Sequence, residues 1–271
     1  MADSNQSNDI SSIGRLLALP NDNPLKTIVV TLAVAFICSI LVSTSAVLLK
    51  PLQIANKEAE RLRHVEQIIS QLPRAGALSL DSGTLKVTAR VVNLETGKYM
   101  LSIDPKLYDQ HRAAQDPGLS VSIPEEFDIA RLKRRAKFMI VYEASQDEKV
   151  KLVVIPVSGR GFGAMMYGYL GLMVKANTVV GLTFYDHRET PGIGALIDSP
   201  NWKRQWQGKY IWDEGILMLG VGPTKITPDL PEATYQVDAL TGATWTGRGV
   251  TNLLHYWLGE HGFKTYLQKF N

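Results

Sequence analysis

Cysteine occurs once in the 271 residues, as Cys38. Intramolecular disulfides are thereby excluded, and a metal site built by this chain alone cannot be thiolate-rich. Histidine is sparse as well: His64, His111, His187, His255 and His261 lie far apart without ligand spacing, so no metal ligand is assigned. There is no H-E-x-x-H, C-x-x-C, G-x-S-x-G or Walker loop, which leaves hydrolase readings without support, and no catalytic residue is assigned. Dense basic runs with interleaved aromatics are missing and the net charge is only +3, so nucleic acid is not an expected partner.

Charge is absent in another sense from Thr27 to Leu49, where "TIVVTLAVAFICSILVSTSAVLL" holds no ionisable group other than Cys38, and neither proline nor glycine, between Lys26 and Lys50. At about 1.5 Å per residue such a helix reaches roughly 35 Å, enough for a hydrocarbon core of about 30 Å. The apolar run is too long for a cleaved signal peptide, so an uncleaved anchor is expected. Lys50, Lys57, Arg61 and Arg63 follow it, and by the positive-inside rule they lean weakly toward a cytoplasmic C-terminal domain.

The expected organisation is a polar arm over 1–26, a transmembrane helix over 27–49, a connecting helix over 50–73 and a domain over 74–271. Ala55, Ala59, Leu62, Val65, Ile69 and Leu72 carry the helical spacing of the connector, which ends before Pro73. Beyond it, strand-like runs (Leu85–Val92, Lys137–Ala144, Lys149–Val157, Gly168–Val174, Thr178–Asp186 and Gly215–Val221) are broken by glycine and proline. Residues from about 104 to 128 read as a connector or an irregular excursion. Val250, Leu253, Leu254, Trp257 and Leu258 predict a helix with one buried face, and Phe263, Tyr266, Leu267 and Phe270 a short final one. The fold class is α+β: a single N-terminal transmembrane helix followed by a mixed α+β domain.

"SGRGFGA" at 158–164 reads as G-x-G-x-x-A, but a dinucleotide fingerprint requires a helix next, and "MMYGYLGLMV" reads as strand. A hairpin turn is expected there. Two other stretches invite a ligand. "HRETPGIG", 187–194, combines Glu189, Thr190, a proline and Gly192 in a stiff loop suited to the polar edge of a planar molecule. "DALTGATWTGRG", 238–249, places Asp238, Thr241, Gly242, Ala243 and Thr244 just before the amphipathic helix. A helix N-terminus favours a phosphate, and Arg248 adds charge. On physics alone, Thr241 or Thr244 also serves as a plain N-cap.

The D-x-x-T-G-A-T of Asp238–Thr244 resembles the flavinylation motif of FMN-binding domains. With E-T-P-G upstream and one membrane anchor before both, the chain resembles the C subunit of the sodium-translocating NADH:quinone reductase over nearly its whole length. Many family members have serine at position 241, and the threonine here keeps the hydroxyl.

The resemblance implies an FMN-binding domain with FMN esterified through its phosphate to Thr244, installed from FAD with magnesium by a separate flavin transferase. Asp238 would serve recognition or activation by that transferase; Glu189, Thr190 and Gly192 would make non-covalent flavin contacts. It further implies an electron relay between NADH and ubiquinone, coupled to sodium transport. Its partners would be the other subunits, which carry NADH oxidation and quinone reduction. The flavin domain would lie on the periplasmic side of a bacterial inner membrane, against the charge cue. Two alternatives stand beside this: the G subunit of the Rnf electron-transport complex, disfavoured by the long segment between anchor and flavin motifs, and a flavin-free anchored scaffold.

Overall fold

The computed structural model describes residues 20, 23–69 and 85–270. The arm before Pro20 and the end of the predicted connector, including Leu72, lie outside the described residues. Contacts divide the chain into two units, Met1–Lys57 and Glu58–Asn271.

One helix, α1, runs over Pro24–Ile69. Asn23 starts it, its side-chain oxygen accepting from the Leu25 N–H at 2.9 Å. Its first part is apolar on all sides and exposed, and it is long and apolar enough to cross a membrane. Pro51 lies within the helix and removes one backbone donor, yet the helical assignment continues through it.

In the second unit, five strands form an antiparallel sheet in the order β1-β4-β5-β6-β7: β1 (Lys86–Asn93), β4 (Phe138–Gln146), β5 (Lys149–Arg160), β6 (Met165–Met173) and β7 (Thr178–Asp186). Period-two alternation sends Ile140, Tyr142, Leu152, Val154 and Tyr169 to one face, where they pack with Val65 and Ile68 of α1. Gly171 permits this approach, because a Cβ there would lie 2.3 Å from Ile68 Cγ2. Met139, Val141, Val153, Ile155, Val157, Leu170 and Leu182 go to the opposite face and join the main core. The interval between β5 and β6 is the expected hairpin, closed by Gly161 N–H donating to the Ala164 carbonyl at 2.8 Å.

Helix α4 (Thr244–Leu258) lies on that second face, burying Val250, Leu253, Leu254, Trp257 and Leu258. Full burial of each large side chain is worth about 1.5–3 kcal/mol. The predicted final helix is α5 (Lys264–Leu267), continued by a 3-10 turn over Gln268–Phe270.

Two expectations are corrected. The 104–128 excursion contains α2 (Gln110–Gln115), capped by the Asp109 carboxylate, and the short strand β2 (Ser120–Ser122), which pairs with β3 (Arg134–Ala136). Six residues are too few for helical periodicity to show. The run 215–221 is two strands: β9 (Ile216–Leu217), hairpin-paired with β8 (Trp212–Asp213), and β10 (Gly220–Val221), parallel to β11 (Gln236–Val237). The Ile211 carbonyl accepts from both Met218 and Leu219 N–H, which divides the run. Helix α3 (Pro200–Gln205), capped by Ser199, completes the domain.

Candidate functional site

The chain reaches α4 through a tight turn. Ala243 N–H donates to the Leu240 carbonyl at 2.9 Å, and Gly242 sits at φ +76°, a conformation that glycine adopts without steric penalty. Thr244 is the first helical residue. The N-cap position is Ala243, which has no side-chain hydrogen bond to give, so neither Thr241 nor Thr244 is the plain cap that local sequence allows. The first N–H groups of the helix, those of Thr244, Trp245 and Thr246, have no carbonyl four residues back within it and no capping side chain. An uncapped start of this kind carries a partial positive charge that favours an anion.

A cleft of about 170 Å³ opens at this point, lined by Phe162, Thr190, Ile193, Gly194 and the segment 242–246. Thr244 is exposed and is one of the residues that line the cleft. Phe162, 63% exposed at the tip of the β5–β6 hairpin, and Trp245, 62% exposed, give the rim two aromatic surfaces. Neither was singled out in the sequence. Trp245 could have been noticed, being a bulky aromatic between two threonines in a run otherwise of small residues.

The loop after β7 is fixed from within. Glu189 is only 5% exposed and points away from solvent: one oxygen accepts from the Thr246 hydroxyl, the other from Gly163 N–H at 3.1 Å. One buried carboxylate therefore joins three segments, the hairpin tip, the E-T-P-G loop and α4. His187 extends the arrangement, accepting at Nδ1 from Glu189 N–H at 3.2 Å and meeting Asp198 Oδ2 at 2.6 Å through Nε2. Burial would raise the Asp198 carboxyl, but the hydrogen bonds from His187 and Lys203 and the Lys203 charge hold it below its ordinary value. The Thr190 carbonyl accepts from Ile193 and Ala195 N–H, and Gly194 packs where a Cβ would stand 2.8 Å from Thr246 Oγ1.

Of the other sequence-selected residues, Gly242 and Ala243 line the cleft, whereas Thr241, Gly192 and Arg248 stand outside its lining. Arg248 is exposed, with its guanidinium carbon 5.3 Å from the centre of the Trp245 ring. Asp238 is occupied structurally: Oδ1 accepts from Ile226 N–H at 2.7 Å and Oδ2 from Gln205 Nε2 at 3.1 Å.

The FMN-binding domain family matches residues 161–259, from the hairpin tip to the end of α4. Over 250 residues the chain is 39% identical to the C subunit of the Na(+)-translocating NADH-quinone reductase of Pseudomonas aeruginosa, covering 91% of this chain and 95% of that protein. The chain belongs to the NqrC family, the C subunits of Na(+)-translocating NADH-quinone reductases. The family's member from Neisseria meningitidis serogroup B is 37% identical, covering 90% of this chain and 93% of that protein. The crystal structure of Shewanella oneidensis NqrC superposes with a TM-score of 0.69 at 32% identity, covering 80% of this chain and 98% of that one. Membership of the NqrC family does not favour the Rnf alternative.

Proposed function

We propose that this chain is the FMN-carrying NqrC component of a sodium-translocating NADH:quinone reductase and that it holds FMN covalently through the Thr244 hydroxyl. The observation that carries the proposal is the exposed Thr244 side chain at the uncapped first turn of α4, on the border of a cleft with aromatic surfaces. The residues fit the group. A phosphodiester at Thr244 Oγ1 keeps one negative charge, which the helix N-terminus stabilises without a capping carboxylate in competition. Gly242 and Ala243 let it approach the backbone, and Phe162, Ile193 and Trp245 offer apolar surface to an aromatic ring.

When bound, FMN supplies the electron-carrying chemistry, and the protein sets its position and surroundings. Glu189 and Thr246 act beneath the cleft, holding the loop and the helix in one geometry. Thr190 borders the cleft from the loop side, and Gly192, at φ +75°, allows the turn that presents it. Arg248 adds positive charge one turn along the helix. Asp238 holds the approach to the motif and presents it to a flavin transferase. NADH oxidation and quinone reduction belong to the partner subunits.

The apolar part of α1 serves as a single membrane anchor, over about 27–49, with the domain from about 74 onward on the periplasmic side. Alkaline phosphatase fused to the C-terminus is expected to be active in whole cells; an inactive but intact fusion would reverse the orientation. For the linkage, the full chain made with a flavin transferase is expected to fluoresce under ultraviolet light on a denaturing gel, and Thr244→Val to be dark. Fluorescence persisting in the variant, or missing from the parent, would overturn the assignment.

A further inference from the structure

A second cavity, larger than the cleft at Thr244, lies elsewhere in the domain, where two central strands part. Pairing between β4 and β5 stops at Tyr142 and Val154, although β4 starts at Phe138 and β5 continues to Arg160. Beyond that point the two strands do not pair with each other. The Ile140 N–H instead donates to Gln110 Oε1 of α2 at 3.1 Å, and Pro156 in β5 has no N–H to offer. The opening holds about 410 Å³, within the ordinary range for small-ligand sites. Its floor includes Met139, Val157 and Trp257, and its rim carries Lys133, Arg134 and Arg135.

The charge around this opening is one-sided. No aspartate or glutamate is among its lining residues, and among the described residues no carboxylate lies within ion-pair distance of the three cations. Asp128, close in sequence, is committed to the backbone N–H groups of Leu132 and Lys133. Arg134 alternates to the other face of β3 from Arg135 and is held by Ser120, through Nε to Oγ at 2.9 Å, while Lys133 is exposed and Arg135 Nη1 donates to the Ala136 carbonyl at 3.3 Å. Two cations, Lys133 and Arg135, neither in an ion pair among the described residues and both beside an apolar floor, match an anion attached to an apolar body.

We propose that the cleft between β4 and β5 binds a phosphate-bearing organic molecule, its phosphate on Lys133 and Arg135 and its apolar part over Met139, Val157 and Trp257. The shared chemistry has two possible sources, a lipid headgroup or a soluble organic phosphate. Calorimetric titration of the full flavin-loaded chain in neutral detergent separates them, with phenyl phosphate and short-chain dihexanoyl phosphatidic acid as probes. Saturable binding of phenyl phosphate assigns a soluble ligand, and binding of phosphatidic acid alone assigns a lipid. In either case affinity is expected to fall about tenfold or more in Lys133→Gln/Arg135→Gln. The full chain made without a flavin transferase should bind the probes as the flavin-loaded chain does, which separates this site from the flavin site. If the double variant fails to fold, Lys133→Gln alone, at an exposed position, is expected to weaken binding several-fold. No saturable binding of either probe, equal affinity in the folded charge variants, or equal binding of dihexanoyl phosphatidylcholine would overturn the proposal.

Discussion

The Thr246 hydroxyl donates a hydrogen bond to the buried Glu189 carboxylate, joining the third residue of α4 to the loop after β7. The two residues are 57 positions apart in sequence, Glu189 in the E-T-P-G loop and Thr246 two residues beyond the D-x-x-T-G-A-T stretch. Thr246→Val keeps the side-chain shape and removes the donor, leaving a buried carboxylate oxygen short of a partner. A loss of about 1–3 kcal/mol in unfolding free energy is expected. Thr241→Val, at an exposed position, should change stability by less than about 0.5 kcal/mol. Equal unfolding midpoints for the two variants would show that the Glu189 bridge carries no stability.

Gly192 and Gly194 should respond to alanine for different reasons. Gly192 lies at φ +75° with nothing within 4 Å of a built Cβ, so Gly192→Ala costs roughly 1–2 kcal/mol through the backbone alone. Gly194 has an ordinary φ, but its Cβ would stand 2.8 Å from Thr246 Oγ1 and 3.0 Å from Glu189 Oε2. Gly194→Ala must therefore displace the bridge at about 1–3 kcal/mol. It should also lower covalent flavin content at matched protein level, whereas Gly192→Ala should leave that content nearer to the parent. In-gel fluorescence normalised to protein stain checks the difference.

Asp238 tests whether a motif residue serves the fold or the transferase. Asp238→Ala removes the acceptor of Ile226 N–H and of Gln205 Nε2, and a destabilisation of about 1–3 kcal/mol is expected. Asp238→Asn retains an oxygen for Ile226 N–H and should recover part of that loss. If the carboxylate is needed for recognition, the asparagine variant will be folded yet poorly flavinylated. Full flavinylation of folded Asp238→Asn would confine Asp238 to a structural role.

The turn and helix start at Asp238–Thr244 were legible because their cues are local: a small-residue turn, a hydroxyl and a helix start occupy seven consecutive residues. The five strands of the sheet were legible for a similar reason, since period-two alternation and glycine punctuation lie within each run. What joins the motifs was not. Nothing local in "HRETPGIG" says that Glu189 turns inward to Thr246 and Gly163, because burial of a carboxylate depends on partners 26 and 57 residues away. Phe162 entered the cleft rim only through the hairpin that brings residues 160–165 beside α4. The cleft between β4 and β5 was equally hidden, since the parting of two strands is a property of their pairing and leaves each sequence run intact.

His255 supplies a pH test away from the flavin site. It lies on α4 with Nε2 2.9 Å from the Leu219 carbonyl, so in the neutral ring that nitrogen carries the proton. Burial lowers its pKa below the ordinary 6.5, and the hydrogen bond to Leu219 offsets this only in part. The unfolded chain thus takes up a proton at a higher pH than the folded chain. This contribution to stability is complete above pH 6.5 and is lost as pH falls through 6.5 toward the folded value. Asp198, with its lowered pKa, acts in the same direction but only in the carboxylate range, well below this window. His255→Gln can keep a donor near the Leu219 carbonyl and removes the titration. Urea unfolding of the full chain in neutral detergent at about pH 7.5 and about pH 5 should show a smaller acid-induced drop in midpoint for the variant than for the parent. Identical drops would mean that His255 titrates alike in both states, and that its burial does not shape the acid response of the domain.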